Sequence, residues 1–552
     1  MYRKTTLFIF GILLTCLPAI SPSNACTSLL VTKSASADGS TFITYTCDGR
    51  FHPHLWINHP ADYPAGDSLK IEDWHGNVRG WIKQAEHIYG GVGMMNEFQL
   101  AISETTFDGR PELENEEGIL GYWDLIDLAL QRAKTAREAI RVMTDLVADY
   151  GYNSTGETFS IADPKEVWIM EMIGMGEGRK GAVWVALKIP DGYICAHANK
   201  ARIGTFPLND SDNCLYSENV ISFAVEMGYY NPASGQPFSF CKAYCPPDPK
   251  NRRYADTRVW SLFRRAAPSM NLSPDISRSV EGAQDYPLWI KPDKKLSLED
   301  ILALMRDHYE GTPYDMTSGV AAGPYGTPYR WRPLYWTLAD ESGDSVEYSW
   351  ERPISTQQTG FTSIAQCRSW LPDPIGGVYW YGVDDTWFTC YIPLYAGIDT
   401  VPRSFTVGSI SEFSWESAWW VFNFVSNFTN LRYQYMIQDV QKVQRELEGN
   451  ALAMQAAVEK AALETYKNDP ATARRFLTDY CISHAETVVR RWRELGENLI
   501  VKYNDGYIIK EDGRAEGIGY PENWLKTVVG QNPEKYKLPV SADSTVEMRL
   551  ID

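Results

Sequence analysis

Cysteine is scarce in this 552-residue chain, at ten residues, and histidine scarcer, at eight. Ten cysteines over this length are too few for a disulfide-built scaffold, which concentrates them in short chains. Positive charge is in deficit: 52 Lys and Arg stand against 70 Asp and Glu, a net charge of -18. That balance excludes a general binder of nucleic-acid backbones, whose footprint is basic. Long apolar runs are missing too. Beyond residue 25 no segment approaches the roughly 18 uninterrupted apolar residues of a membrane-spanning helix. With no internal repeat and no low-complexity tract, the solenoid, collagen and coiled-coil classes fall away. What remains is ordinary globular material, 44% hydrophobic and 22% charged. A chain of this size buries roughly three quarters of its unfolded surface.

The one short apolar stretch stands at the start. Met1-Tyr2-Arg3-Lys4 leads into Leu7-Phe8-Ile9-Phe10-Gly11-Ile12-Leu13-Leu14, and a small polar segment ends Ser23-Asn24-Ala25. A basic end, an apolar run too short to span a bilayer and a small-x-small close predict a secretory signal peptide over residues 1–25. The expectation is an exported chain, periplasmic or extracellular, without a membrane span. Cys16 leaves with the leader, and Cys26 becomes the first residue of the mature chain.

A free N-terminal cysteine carries a thiol and an α-amine on one residue, with ordinary pKa values of roughly 8.5 and 7.7–8.0. The amine is partly neutral near pH 7 and can take the thiol's proton, so nucleophile and base coincide. Two plainer readings stand beside this one: Cys26 in a disulfide, and Cys26 acylated as a lipoprotein anchor. The second is disfavoured, because Ser23-Asn24-Ala25 lacks the apolar residue usual three places upstream of a lipidated cysteine. Loss of Cys16 leaves nine cysteines, and an odd number in an exported chain asks for a free reactive thiol. Cys26 is the natural candidate, and the other eight permit up to four disulfides without requiring any.

The residues after Cys26 read as a β-hairpin. Cys26-Thr27-Ser28-Leu29-Leu30-Val31-Thr32-Lys33 is a strand, Ala37-Asp38-Gly39-Ser40 a turn and Thr41–Asp48 the return strand. The pairing holds Cys26 rigidly and brings Asp48 back toward it. Further along come Gly93-Met94-Met95-Asn96-Glu97 before Leu100–Thr106, then Gly156–Asp163 before Glu166–Glu171, Ala196-His197-Ala198-Asn199, and Arg253-Tyr254-Ala255-Asp256-Thr257-Arg258. In this order these motifs resemble the cysteine dipeptidase family of N-terminal-nucleophile (Ntn) hydrolases, with bile salt hydrolases and penicillin V acylases as more distant relatives. The resemblance covers roughly residues 26–400 and extends toward the helical tail.

That resemblance implies hydrolysis of the amide bond of a dipeptide, a small peptide substrate with no metal and no cofactor, on a four-layer αββα sandwich, and it favours a homo-oligomer. It implies Cys26 as nucleophile with its own amine as base, Asp48 as partner of an amine, and Asn199 as completing an oxyanion hole. Substrate contacts would gather around Tyr45, Glu104, Thr105, Thr106 and His197. One departure stands out: the family carries an arginine three residues before the aspartate, and here that position is Tyr45. Arg50 is the nearby residue that would supply the missing charge. A dipeptide's free amine calls for a carboxylate such as Glu104 or Asp48, although a solvated strand end is the plainer reading of Glu104. The alternatives are an N-acyl amide hydrolase on the same scaffold, and a non-catalytic exported binding protein with Cys26 in a disulfide.

Other clusters carry less. His52, His54 and His59 suggest a metal site, but Pro53 interrupts the strand and no matching ligand spacing follows. His197 reads as structural or pocket-lining rather than as a base, because an N-terminal amine makes one unnecessary. Cys241 and Cys245, beside Pro246-Pro247, suggest a local loop disulfide. Gly90-Gly91-x-Gly93 lacks the strand-helix setting of a nucleotide loop and is a turn. Trp331, Tyr335, Trp336 and Tyr379-Trp380-Tyr381 read as core and pocket walls rather than a sugar platform.

Strand signals fill 26–110 and 155–215. Between them Thr135-x-x-Glu138 opens a helix with Ile140, Met143, Val147 and Tyr150 on one face and Gly151 at its end. Ser297 opens another, with Ile301, Leu304, Met305 and His308 on one side. Residues 310–400 return to short strands. From about 412 helices take over, with Met436, Val440, Val443 and Leu447 in period and a second start at Asp469-Pro470. The expected class is α+β, divided as a catalytic domain 26–410, a helical region 411–504 packed on or beside it, and a mixed tail 505–552.

Overall fold

The computed structural model describes residues 25–539. The expected leader with Cys16 and the end of the tail lie outside the described residues. In chain order the strands of the two large sheets are β1 (Ala25–Val31), β2 (Thr41–Asp48), β3 (Ile57–Asn58), β4 (Gly91–Val92), β5 (Met95–Asn96), β6 (Ala101–Phe107), β7 (Gly156–Ala162), β8 (Val167–Gly174), β9 (Ala182–Lys188), β10 (Ile194–His197), β11 (Cys214–Tyr216), β12 (Trp289–Ile290), β13 (Thr359–Cys367), β14 (Val378–Val383) and β15 (Ile392–Tyr395). One sheet runs β12-β10-β1-β2-β13-β14-β15 and the other β11-β9-β8-β7-β6-β5-β4-β3. Neighbours within each are antiparallel.

Every residue of β7, β8, β13 and β14 is buried, so these strands are covered on both faces. One cover is the other sheet: β1 and β2 pack on β6, and β2 also on β7. Helices supply the rest. α1 (Tyr122–Arg132) and α2 (Ala136–Tyr150) pack on β6, β7 and β9; α3 (Thr257–Ala266) packs on β10 with α4 (Leu298–Met305) against it. α5 (Ala418–Thr429), α6 (Tyr433–Tyr466) and α7 (Pro470–Lys502) pack on β14 and β15. The chain is an α+β protein. No helix among the described residues is long and apolar enough to cross a membrane.

Local chemistry explains the element ends. The Thr135 hydroxyl accepts from the Glu138 N–H, and the Glu138 carboxylate accepts from the Lys134 N–H, so the start of α2 is capped from both sides. Ser297 and Asp300 form a complete capping box on α4. That helix stops at Met305, and His308 lies beyond it rather than on its face. Asp307 turns back to pair with Arg264 and Arg265 of α3, which ends the helical path. β1 also stops short, at Val31, before a helical turn at Lys33–Ala35. At the hairpin, Asp38 accepts from both the N–H and the hydroxyl of Ser40, and Gly39 takes the left-handed φ of +85° that the turn needs.

Two minor expectations end differently. The nine cysteines among the described residues are free thiols; Cys241 and Cys245 lie one turn apart on the short helix Phe240–Tyr244 and its cap, without a bond. Trp331 and Tyr335 are exposed, unlike the buried Tyr379, Trp380 and Tyr381. The rings of His52 and His54 turn to the Ser417 hydroxyl and the Gly408 carbonyl.

Candidate active site

The hairpin aligns Cys26 with Cys47 and Ala25 with Asp48. Cys26 is fully buried. Its Sγ lies 3.6 Å from the Tyr45 hydroxyl and 3.5 Å from Glu104 Oε1. Burial pushes the thiol well above its ordinary pKa, and Cys47, Glu104 and Asp48 push the same way. A standing thiolate is therefore disfavoured here. The backbone nitrogen of Cys26 donates to Asn199 Oδ1 at 3.1 Å.

Asn199 follows β10 with a left-handed φ of +52°. Its Oδ1 accepts from three donors at once: the Cys26 nitrogen, Arg258 Nη2 at 2.9 Å and Arg352 Nη1 at 3.1 Å. Its Nδ2 donates to the Thr106 carbonyl at 2.7 Å, which leaves one amide hydrogen for any further partner. Buried Arg258, on α3, also donates to the Cys26 carbonyl at 2.7 Å and the Thr27 hydroxyl at 2.8 Å. Burial, and then the neighbouring Arg352, push Arg258 down to about 9.

Asp48 uses both oxygens inside the protein. Arg352 Nη2 reaches Oδ2 at 2.7 Å, and the Thr359 hydroxyl reaches Oδ1 at 2.7 Å. Burial raises this carboxyl, and Arg352 is the strongest force holding it down. The guanidinium groups beside Cys26 and Asp48 are those of Arg258 and Arg352, whereas Arg50 is exposed.

Tyr45 turns its hydroxyl to Glu104 Oε1 at 2.5 Å, and burial keeps the phenol protonated. Glu104 is not a solvated strand end: it is fully buried on β6, diagonal to Glu157 of β7, and raised chiefly by burial. Thr106 gives its hydroxyl to Glu157 at 2.9 Å. Thr105 and His197 meet each other instead. Both His197 ring nitrogens are taken, by the hydroxyls of Thr105 and Ser160 at 2.7 Å each, and burial pushes the ring down to about 3. His197 is thus a neutral post between the sheets with no nitrogen free for substrate or thiol.

The structure brings Cys26, Tyr45, Asp48, Glu104 and Asn199 together, with Thr106 at the edge and Thr105 and His197 set back. It adds Arg258, Arg352 and Glu157. Arg258 stands in a quoted motif and interrupts an apolar helix, which is a readable signal. Glu157 breaks a buried strand in the same way. Arg352 carries no local signal.

The sequence profile of peptidase family C69 matches residues 69–446. The chain belongs to that family. It is a cysteine-type peptidase family, and named relatives agree. A probable dipeptidase of Latilactobacillus sakei is 26% identical over 464 residues, covering 79% of this chain and 88% of its own. A probable dipeptidase of Salmonella dublin is 28% identical, covering 68% and 81%. Dipeptidase A of Lactobacillus helveticus is 25% identical, covering 74% and 82%. The matched span of this C69 peptidase begins after β2, so the assignment of Cys26 rests on the geometry around it.

Proposed function

We propose that this C69 peptidase is an exported dipeptidase whose nucleophile is Cys26, freed by cleavage after Ala25. One observation carries the reading. The nitrogen that cleavage would turn into an amine already bonds Asn199 Oδ1 at 3.1 Å, on the residue whose thiol lies 3.5 Å from a buried carboxyl. The amine takes the thiol proton, and Sγ attacks the carbonyl carbon of the substrate's first residue. The remaining Asn199 amide hydrogen and a backbone N–H hold the oxyanion, a type of contact worth roughly 3–4 kcal/mol per donor. The amine passes its proton to the leaving nitrogen, the C–N bond breaks, and water hydrolyses the thioester. Because the thiol is not a standing thiolate, the amine is needed as base.

Of the two carboxylates proposed for the substrate amine, Glu104 is favoured, since both Asp48 oxygens are held by Arg352 and Thr359. Asp48 then acts as a post that orients Arg352, and through it Asn199. The stacked antiparallel sheets between helices support the αββα sandwich of Ntn hydrolases. In this reading residues 26–410 form the catalytic unit, 411–504 its helical buttress and 505–552 the tail.

Mass spectrometry of the mature N-terminus and a substrate pair test this. A chain beginning at free Cys26 that cleaves a dipeptide but not its N-acetyl form is expected. A longer or acylated N-terminus in active protein sinks the mechanism, and preference for the acetylated substrate transfers the reading to an N-acyl amide hydrolase.

A further inference from the structure

Glu157 has no part in the reaction above, yet it touches the carboxyl that meets the substrate there. Glu104 and Glu157 lie on adjacent strands, Glu104 opposite Phe159 and Thr106 opposite Glu157 in register, so the two carboxyls are diagonal neighbours on one face, and Glu104 helps to push Glu157 up. Both are fully buried. Their other hydrogen bonds come from hydroxyls and a thiol: Tyr45 and Cys26 on Glu104 Oε1, Thr106 and Ser154 on Glu157 Oε1. Glu104 Oε2 and Glu157 Oε2 are buried and have no hydrogen-bond partner. Among the described residues neither carboxyl has a cationic partner. Two touching carboxyls in a dry setting cannot both ionise, so they share one proton. The titratable groups around them are the thiol of Cys26 of β1 and, after cleavage, its α-amine on Asn199, Tyr45 and Asp48 of β2, Tyr122 of α1 and Tyr152. Among the side chains only Asp48 carries charge, and Arg352 already answers it. The Cys26 amine, with an ordinary pKa of roughly 7.7–8.0, keeps one protonation state below about pH 7 and so adds no slope there.

We propose that the Glu104–Glu157 pair seats the α-ammonium group of the substrate, which enters by displacing the proton the two carboxyls share. The inference rests on the dipeptidase reading and adds Glu157 as the residue that sets selectivity for a free amine.

The distances agree. In any amino acid the nitrogen and the carbonyl carbon are about 2.5 Å apart across Cα. An ammonium held about 2.8 Å from Glu104 therefore brings the scissile carbon within reach of Sγ, itself 3.5 Å from that carboxyl. The charge agrees too. With the shared proton the pair carries one negative charge, and with both carboxyls ionised around an ammonium the site carries the same. A neutral N-acyl group cannot take the proton's place, so it leaves the pair protonated and the orphan oxygens unanswered.

The experiment uses mature Cys26→Ala protein and Ala-Ala dipeptide, titrated calorimetrically at pH 6 in two buffers of different ionisation enthalpy. Close to one proton released per dipeptide bound is expected, falling to near zero when Glu157→Gln is added. With Cys26 intact, KM should fall about tenfold per pH unit between about pH 5 and pH 7, where the substrate amine stays charged. The Glu157→Gln protein should flatten that slope. Binding without proton release overturns the inference, as does release that Glu157→Gln leaves unchanged. The first measurement leaves the pair intact, so it stands even if Glu157→Gln does not fold. Dipeptide turnover without proton release defeats the ammonium seat alone; absence of dipeptide binding defeats the dipeptidase reading and the seat with it.

Discussion

At Cys26 burial, Cys47, Glu104 and Asp48 all act against a thiolate, and the guanidinium of Arg258 is spent on the backbone carbonyl and on Asn199. A Cys26→Ala protein should keep its far-UV circular dichroism and lose turnover by about 10⁶-fold, the scale set by removing a catalytic nucleophile. Retained turnover would refute the assignment. Arg352 makes a different kind of contribution. Replacing it with Met leaves Asp48 buried without its ion-pair partner, a change that costs about 3–5 kcal/mol. Urea unfolding should show a loss of that size, and Arg352→Lys should recover only part of it, because an ammonium cannot fork to both Asp48 and Asn199. His197 gives a pH signature. Its native pKa is depressed to about 3 from 6.5. Above pH 6.5 the ring is neutral whether folded or unfolded. As pH falls from there toward 3, the unfolded chain takes a proton that the folded one refuses, so stability is lost on acidification. The urea midpoint should drop across that window, and His197→Asn should flatten the drop. Sequence reading reached Cys26, Asp48 and Asn199 because each sits in a short local motif. It missed Arg352, which meets Asp48 across 304 positions of chain and interrupts no periodic pattern.

Elements were legible where capping chemistry announced them. Thr135, Ser297 and Asp469 each begin the helix their sequence promised, and each side chain accepts a backbone N–H. Ser297→Ala should cost about 1 kcal/mol by removing that acceptor, read as a lowered Tm with unchanged activity. Ends were harder. His308 keeps the apolar spacing of α4, but a period cannot register that Asp307 is drawn off by two arginines of another helix. The two-residue strands β3, β4 and β5 are too short for alternation to exist, and they hold the edge of their sheet only because β6 is already there to pair with.

The largest scale turns on α5–α7. Trp380 and Tyr381 of β14 and Ile392 and Leu394 of β15 are fully buried, and besides the short helix Asp373–Gly376 the helices that pack on those strands are α5, α6 and α7, from beyond residue 417. Buried Trp419, Phe422 and Val425 of α5 join the same core. Two ion pairs tie α6 to the sheet-bearing part: Arg306 with Glu448, and Arg368 with Glu459 at 2.6 Å, all with little exposed side chain. A chain ending at residue 410 would uncover an apolar sheet face and leave Arg306 and Arg368 without their carboxylates. It should therefore aggregate or bind a hydrophobic dye, while the chain with all three helices unfolds in a single transition by calorimetry. A truncated 26–410 protein that elutes as a compact species and retains dipeptide turnover would separate the helices from the catalytic core. Two resolved transitions in the full chain would do the same.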